Sequence, residues 1–224
     1  MYSTRNPNQM IVEGFDDRHS VVGLMKAHVD WPKEEHLWPV HIHQGGGADE
    51  ILRDGVLLSY LRGSTVKTFG VMLDADAKPS GRYDAIRAIC IGMFPDLPKH
   101  LPHDGVIVEN SDGHRFGVWI MPDNATEGCL ETFLKLLVPP ECKPVLDHAE
   151  KSVKTAQKLG CELVANNFTK AVLYTWLAWQ ETPGQSPGIS LTNKVLDPTN
   201  PAAASFVVWF RKLYQLPAKA LLFP

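Results

Sequence analysis

Asp74 and Asp76 stand one residue apart at the end of an apolar run, in the stretch VMLDADAKPSG. If the run is a strand, residues i and i+2 point the same way, so both carboxylates face one point in space. Two more acids, Glu13 and Asp17, follow another apolar run in QMIVEGFDD, four residues apart. Converging carboxylates cannot all stay ionised in close quarters unless a cation compensates them. Hard cations prefer oxygen ligands, and Mg2+ keeps waters and accepts substrate phosphate oxygens, which is the chemistry of phosphodiester hydrolysis. The competing reading of the Asp pair is a solvated surface turn, where Asp is common.

The elements that must position these acids are written in the hydrophobic period. QMIVEG is a short strand closed by Gly14, and Val21, Leu24, Met25 and His28 after it fall at helical spacing. LWPVHIH is a second strand, followed by QGGGADE and one helix through Ile51, Leu52, Val56, Leu57 and Leu61. TVKTFGVMLDAD is a third strand, with Tyr83, Ile86, Ile89 and Cys90 on one face of the helix after it. Strands alternating with helices predict a parallel sheet covered by helices. From Gly105 the pattern changes to GVIVEN and RFGVWIMPDN joined by a turn holding Asp112 and Gly113, an antiparallel edge hairpin. In such sheets ligands bind beyond the carboxyl ends of the strands, where Glu13, Asp74 and Asp76 fall.

The prolines of VPPE, Val138 to Glu141, mark a boundary, which divides the chain into residues 1–137 and a helical part packed on it, residues 138–224. In that part Pro144 opens a helix with an apolar stripe of Leu146, Ala149, Val153, Ala156 and Leu159, opposite Lys151, Lys154 and Lys158. NNFTKAVLYTWLAWQ and PAAASFVVWFRKLYQL add two helices separated by the loop ETPGQSPG. Residues 1–137 carry 13 Lys and Arg against 19 Asp and Glu, and residues 138–224 carry 9 against 6. The acidic half suits cations and the basic half an anionic substrate, while the net charge of -3 excludes binding of nucleic acid by bulk positive potential alone.

The four cysteines show no Cys-x-x-Cys spacing and read as reduced, structural thiols. The N-terminal stretch lacks the pattern of a secretory signal and no window reaches membrane-spanning length, so a cytoplasmic protein without a membrane partner is expected. His41 and His43, with His36 nearby, offer too few ligands for zinc. The glycines of QGGGADE belong to no phosphate-binding loop of the Gly-x-x-x-x-Gly-Lys-Ser/Thr kind, and their expected job is to turn the chain. No serine sits in a Gly-x-Ser-x-Gly elbow. Trp176 and Trp179, three apart, are expected to share one face in a core or an interface, the latter giving a homo-oligomer.

The pairing of IVEGFDD after the first strand with VMLDAD after a later strand resembles the TOPRIM domain, the metal-binding module of topoisomerases, DnaG-type primases and OLD-family nucleases. The stretches VWIMPDNATEGCLETFL and FTKAVLYTWLAWQETPG extend the likeness over nearly the whole chain, to uncharacterised bacterial stand-alone proteins related to OLD nucleases. The resemblance implies a TOPRIM-like Rossmannoid fold and metal and catalytic positions at Glu13, Asp74 and Asp76. It further implies an added metal ligand at Asp17, another at Glu131 of the Leu130-Glu131 pair, and a catalytic lysine at Lys170. The implied activity is a Mg2+- or Mn2+-dependent nuclease acting on DNA by two-metal hydrolysis, partnered by a separately encoded ABC-type ATPase in phage defence. The competing expectations are a TOPRIM nuclease that processes RNA and a non-catalytic interaction subunit that binds metal for structure.

Overall fold

The computed structural model describes residues 6–219, so the ends of both expected segments, and the first five residues of the stretch read against a secretory signal, lie outside the described residues. Strands β1 (Asn8–Val12), β2 (His41–Gln44), β3 (Thr68–Asp74), β4 (Val106–Glu109) and β5 (Arg115–Met121) form one sheet in the order β2-β1-β3-β5-β4. All neighbours are parallel except β4 and β5, which form the expected edge hairpin. The alternation of the strands sets two layers. Met10, Val12, Ile42, Met72, Trp119 and Met121 join one core, and Ile11, Val71, Leu73, Phe116, Val118 and Ile120 the other.

The second core is closed by α2 (Ala48–Leu52), α3 (Val56–Leu61) and α4 (Pro79–Cys90) through Ile51, Leu57, Leu61, Tyr83, Ile86 and Cys90. The single helix expected through Ile51 and Leu61 is two, because the backbone leaves helical geometry at Arg53, ψ 146, and α3 starts afresh after Gly55, which takes the left-handed conformation, φ +77. The first core is covered by α1 (Phe15–Met25), α5 (Leu130–Leu136), α6 (Lys143–Lys158), α7 (Phe168–Ala178), α8 (Pro187–Thr192) and α9 (Ala204–Tyr214). Leu137 and Val138, on either side of the expected boundary, are both fully buried in it.

Other expectations need correction. His28 lies beyond the end of α1. Leu159 lies past the end of α6 and is 83% exposed, so the apolar stripe stops at Val153 with Ala156 half-buried. Trp176 is fully buried, but α7 closes at Ala178, so Trp179 turns away and is 44% exposed against His148. Of the cysteines, all of them free, Cys161 is exposed. Helix α8 begins inside the stretch read as a loop; its backbone at Gly188 packs so closely on α1 that a Cβ on Gly23 would lie 2.5 Å from the Gly188 carbonyl oxygen. No helix among the described residues is long and apolar enough to cross a membrane.

Helix α9 seats on the two central strands. Gly70 of β3 and Gly117 of β5 are direct partners across the ladder, and a Cβ on Gly117 would stand 2.5 Å from Leu213 Cδ2. One on Gly70 would stand 2.3 Å from the Tyr214 hydroxyl, which donates to the Gln9 carbonyl of β1 at 2.9 Å. The helix therefore sinks into a floor without side chains. Gly70→Ala and Gly117→Ala are each expected to cost about 1–3 kcal/mol by overpacking. A thermal melt would show a fall of roughly 2–12 °C at this chain length.

Candidate metal centre

Glu13 leaves β1 directly after Val12 and is tied to two other elements. Its Oε1 accepts from the Asp74 N–H at 2.8 Å and its Oε2 from the Ala48 N–H at 3.2 Å, so it links β1 to the end of β3 and the start of α2. The glycine loop serves the same acid. The N–H groups of Gly46 and Gly47 donate to the Glu13 carbonyl, at 2.9 and 3.0 Å, and that of Gly45 to the Val12 carbonyl. The loop turns the chain as expected, with its amides already spent. Gly46 and Gly47 both need positive φ to do it.

Asp17, in the first turn of α1, accepts from the Gly14 N–H at 3.0 Å, which anchors the acid while the helix N-terminus favours its charge. Asp74, the last residue of β3, accepts from the Leu130 N–H at 2.8 Å, which ties α5 to the sheet. Glu131 follows in the first turn of α5 and is buried, with Lys170 Nζ of α7 at 3.5 Å from its Oε1. Four acids, at the ends of β1 and β3 and in the first turns of α1 and α5, thus face one cavity in which Lys170 pairs with Glu131. All six residues singled out in the sequence, these five and Asp76, line one cavity of about 550 Å³.

Asp76 reaches that cavity differently from the way its spacing suggested. Its φ is +50, so the chain leaves strand geometry after Asp74 and the i, i+2 rule does not apply. Asp76 pairs with Gly128 through both backbone groups, at 2.9 Å each way, and its carboxylate goes out to Arg82 of α4. It is a rim residue held by an arginine, while Glu13, Asp17, Asp74 and Glu131 form the cluster.

Burial and mutual repulsion dominate the electrostatics. Desolvation, then the charges of Asp17, Glu13 and Glu131, push the Asp74 carboxyl up to about 9. Desolvation, then Glu13 and Glu131, raise Asp17 to about 7. Glu13 is also raised, since burial outweighs its two backbone hydrogen bonds and the nearby Arg82. Partial burial opposes the Lys170 charge, but Glu131 and Asp16 outweigh it and hold the ammonium above its ordinary range.

Asp16, Tyr174 and Arg82 join the site in addition to the residues singled out in the sequence. The Tyr174 hydroxyl donates to Asp16 Oδ2 at 2.6 Å, and Lys170 Nζ lies 3.7 Å from the same oxygen. Tyr174 stands one helical turn beyond Lys170 on α7, a spacing that could have paired them. Nothing local points from Arg82 to Asp76. His41 and His43 pack edge-on, 4.5 Å between ring centres, and His43 Nε2 contacts Gln9 Oε1 at 2.8 Å. Burial, followed by the neighbouring His41 charge, holds the His43 imidazole down to about 4, so the pair is a packed sheet-edge contact.

As they stand, no three acidic, histidine or cysteine side chains among the described residues are drawn together tightly enough to enclose a bare ion. The donor set nevertheless fits a hard, partly hydrated cation. Every donor is oxygen, and each of the hydrogen-bonded carboxylates Glu13, Asp17 and Asp74 is oriented by a backbone N–H and retains free lone pairs. Among the described residues Lys170, against Glu131, is the one cation in contact with these four carboxylates, and Arg82, which acts on Glu13, is itself paired with Asp76 and Asp49, too little to balance four partly or fully buried acids.

A family described as "Protein of unknown function (DUF3226)" matches residues 7–215. No curated protein and no solved structure matches the chain.

Proposed function

This chain belongs to the DUF3226 family, and from that premise we propose that it is a Mg2+- or Mn2+-dependent nuclease of the TOPRIM kind, acting on DNA. The observation that carries the proposal is the convergence of Glu13, Asp17, Asp74 and Glu131 with Lys170 beyond the carboxyl ends of two adjacent parallel strands. That is where α/β sheets hold ligands, and such a charge imbalance calls for a cation. Two features of the sheet support the TOPRIM reading: Glu13 follows β1, and the aspartate of the later motif ends its neighbour β3.

Glu13, Asp17, Asp74 and Glu131 are the residues that would hold the metal, with Asp76 at the rim. The metal when bound supplies Lewis-acid chemistry, making water acidic and lowering the cost of charge on a phosphate oxygen. The chain's own residues do the rest. Backbone N–H groups fix the acids before any ligand arrives, which removes reorganisation from the reaction. Lys170 carries the positive charge that meets the phosphate as negative charge grows on it. Asp16, shared between Lys170 and the Tyr174 hydroxyl, positions that ammonium. The chain has no ATP-binding loop of its own, so we assign any ATPase step to a separately encoded ABC-type partner, with phage defence as the setting.

The test is cleavage of supercoiled, linear and single-stranded DNA and of single-stranded RNA by the purified protein with Mg2+, Mn2+ or EDTA. Metal-dependent cutting is expected, with DNA preferred. Cutting of RNA alone would reassign the substrate, and no cutting by folded, metal-supplied protein would reject a self-sufficient nuclease. Lys170→Met is expected to lower the single-turnover rate by about 10²–10³-fold, the scale of one preorganised charge at a transition state. Substrate binding should change far less.

A further inference from the structure

Phe15 is the first residue of α1, between Glu13 and the acids Asp16 and Asp17, and it lines the cavity. It is 58% exposed, although α1 turns its buried face elsewhere, beginning at Ser20. The ring is braced from behind. His19, one turn on, lies 3.9 Å away between ring centres at 31°, with its Nδ1 2.9 Å from the Phe15 carbonyl oxygen. The His19 backbone is itself backed by α8, so closely that a Cβ on Gly188 would stand 2.4 Å from the His19 carbonyl oxygen. An aromatic face, stacked on His19 behind it, thus stands in solvent beside the acid cluster.

The same cavity carries two free amides. Asn166 and Asn167 are exposed, neither side chain finds a hydrogen-bond partner among the described residues, and Asn167 caps α7 without using its side chain. A flat apolar face, two amides able to both donate and accept, and the Lys170 ammonium match the three parts of a nucleotide: base plane, base edge and phosphate. A base inside a duplex already has neighbours on both faces and offers none to a single ring.

Building on the nuclease reading, we infer that the substrate is engaged as an unpaired strand, with one base stacked on Phe15 next to the metal-holding acids. Stacking on an aromatic ring tolerates every base, so the preference is for single-stranded over duplex nucleic acid rather than for a sequence.

The test uses a short fluorescein-labelled oligothymidine with one 2-aminopurine, as a single strand and as a blunt duplex, with Ca2+ as the divalent ion. Anisotropy reads affinity and 2-aminopurine emission reads stacking. The single strand should bind wild type more tightly than the duplex, with quenched emission. Phe15→Ala should weaken single-strand binding roughly 5- to 150-fold and lose the quench, while Phe15→Trp keeps both. Equal affinity and quench for Phe15→Ala and wild type would overturn the inference and leave the nuclease reading standing. No binding of either oligonucleotide by wild type would overturn both. Since Phe15 is exposed, a matching melt for Phe15→Ala separates lost stacking from lost folding.

Discussion

Asp74→Asn is expected to abolish metal-dependent cleavage and, in the same protein stripped of metal, to raise the melting temperature. The first effect follows from losing an anionic ligand at the end of β3. Metal stabilisation of transition-state charge is worth several kcal/mol, and at about 1.36 kcal/mol per decade this makes the loss on the order of 10³-fold or more. The second follows from the crowding around Asp74, whose carboxyl is lifted to about 9 by burial and by Asp17, Glu13 and Glu131. Near neutral pH the metal-free fold either confines those charges or keeps a proton that the unfolded chain would release. An amide removes that conflict and can still accept from the Leu130 N–H. Relief of even about 1 kcal/mol raises Tm by roughly 2–4 °C. Cleavage assays and melts in EDTA check the pair. A wild type that unfolds in EDTA would instead mark Asp74 as a structural ligand, whose metal is coupled to folding.

Mg2+ or Mn2+ should stabilise the wild type against heat, more at about pH 8.5 than at about pH 5.5, since protons compete with metal for these acids. The sign follows from the folded values. Asp74, ordinarily 3.8, sits at about 9, and Asp17, ordinarily 3.8, at about 7. Between those limits the folded metal-free protein holds protons that the unfolded chain lacks. Its stability is therefore greatest at low pH and drains away as pH rises through the folded values. Metal displaces those protons and reverses the trend. At a hundredfold excess over Kd the gain is about 2.7 kcal/mol, or roughly 5–11 °C. Calorimetry in buffers of different ionisation enthalpy should register protons released near neutral pH. A metal shift that is flat with pH, or absent, would contradict the shared site.

Glu13 and Asp74 were legible because each ends an apolar run, and strand ends of one parallel sheet must lie together. Asp17 followed from the helical turn after Glu13. Glu131 and Lys170 depended on likeness alone, since an acid on α5 and a lysine on α7 meet only once those helices pack. The link between Asp16 and Tyr174 spans 158 residues and leaves no local trace. The break between α2 and α3 is made by an extended Arg53 and a left-handed Gly55, which hydrophobic spacing does not see. Helix α8 is six residues long in a proline and glycine context, so its existence rests on the close approach of Gly188 to α1. The conformation of Asp76 is hidden for a similar reason: a residue that leaves the strand looks in sequence like one that continues it.

The seat of α9 on Gly70 and Gly117 has a consequence for biosynthesis. The helix that covers the central strands is the last element described, and its Tyr214 bonds to Gln9 across 205 residues. Until α9 has emerged from the ribosome, one face of β3 and β5 lacks its cover, and Trp119, which packs on Phe206 and Trp209, lies open next to the glycine floor. Contacts so distant in sequence are slow to form, and uncovered strands invite association. Nascent chains stalled before residue 204 should therefore lean on chaperones that chains carrying α9 no longer need.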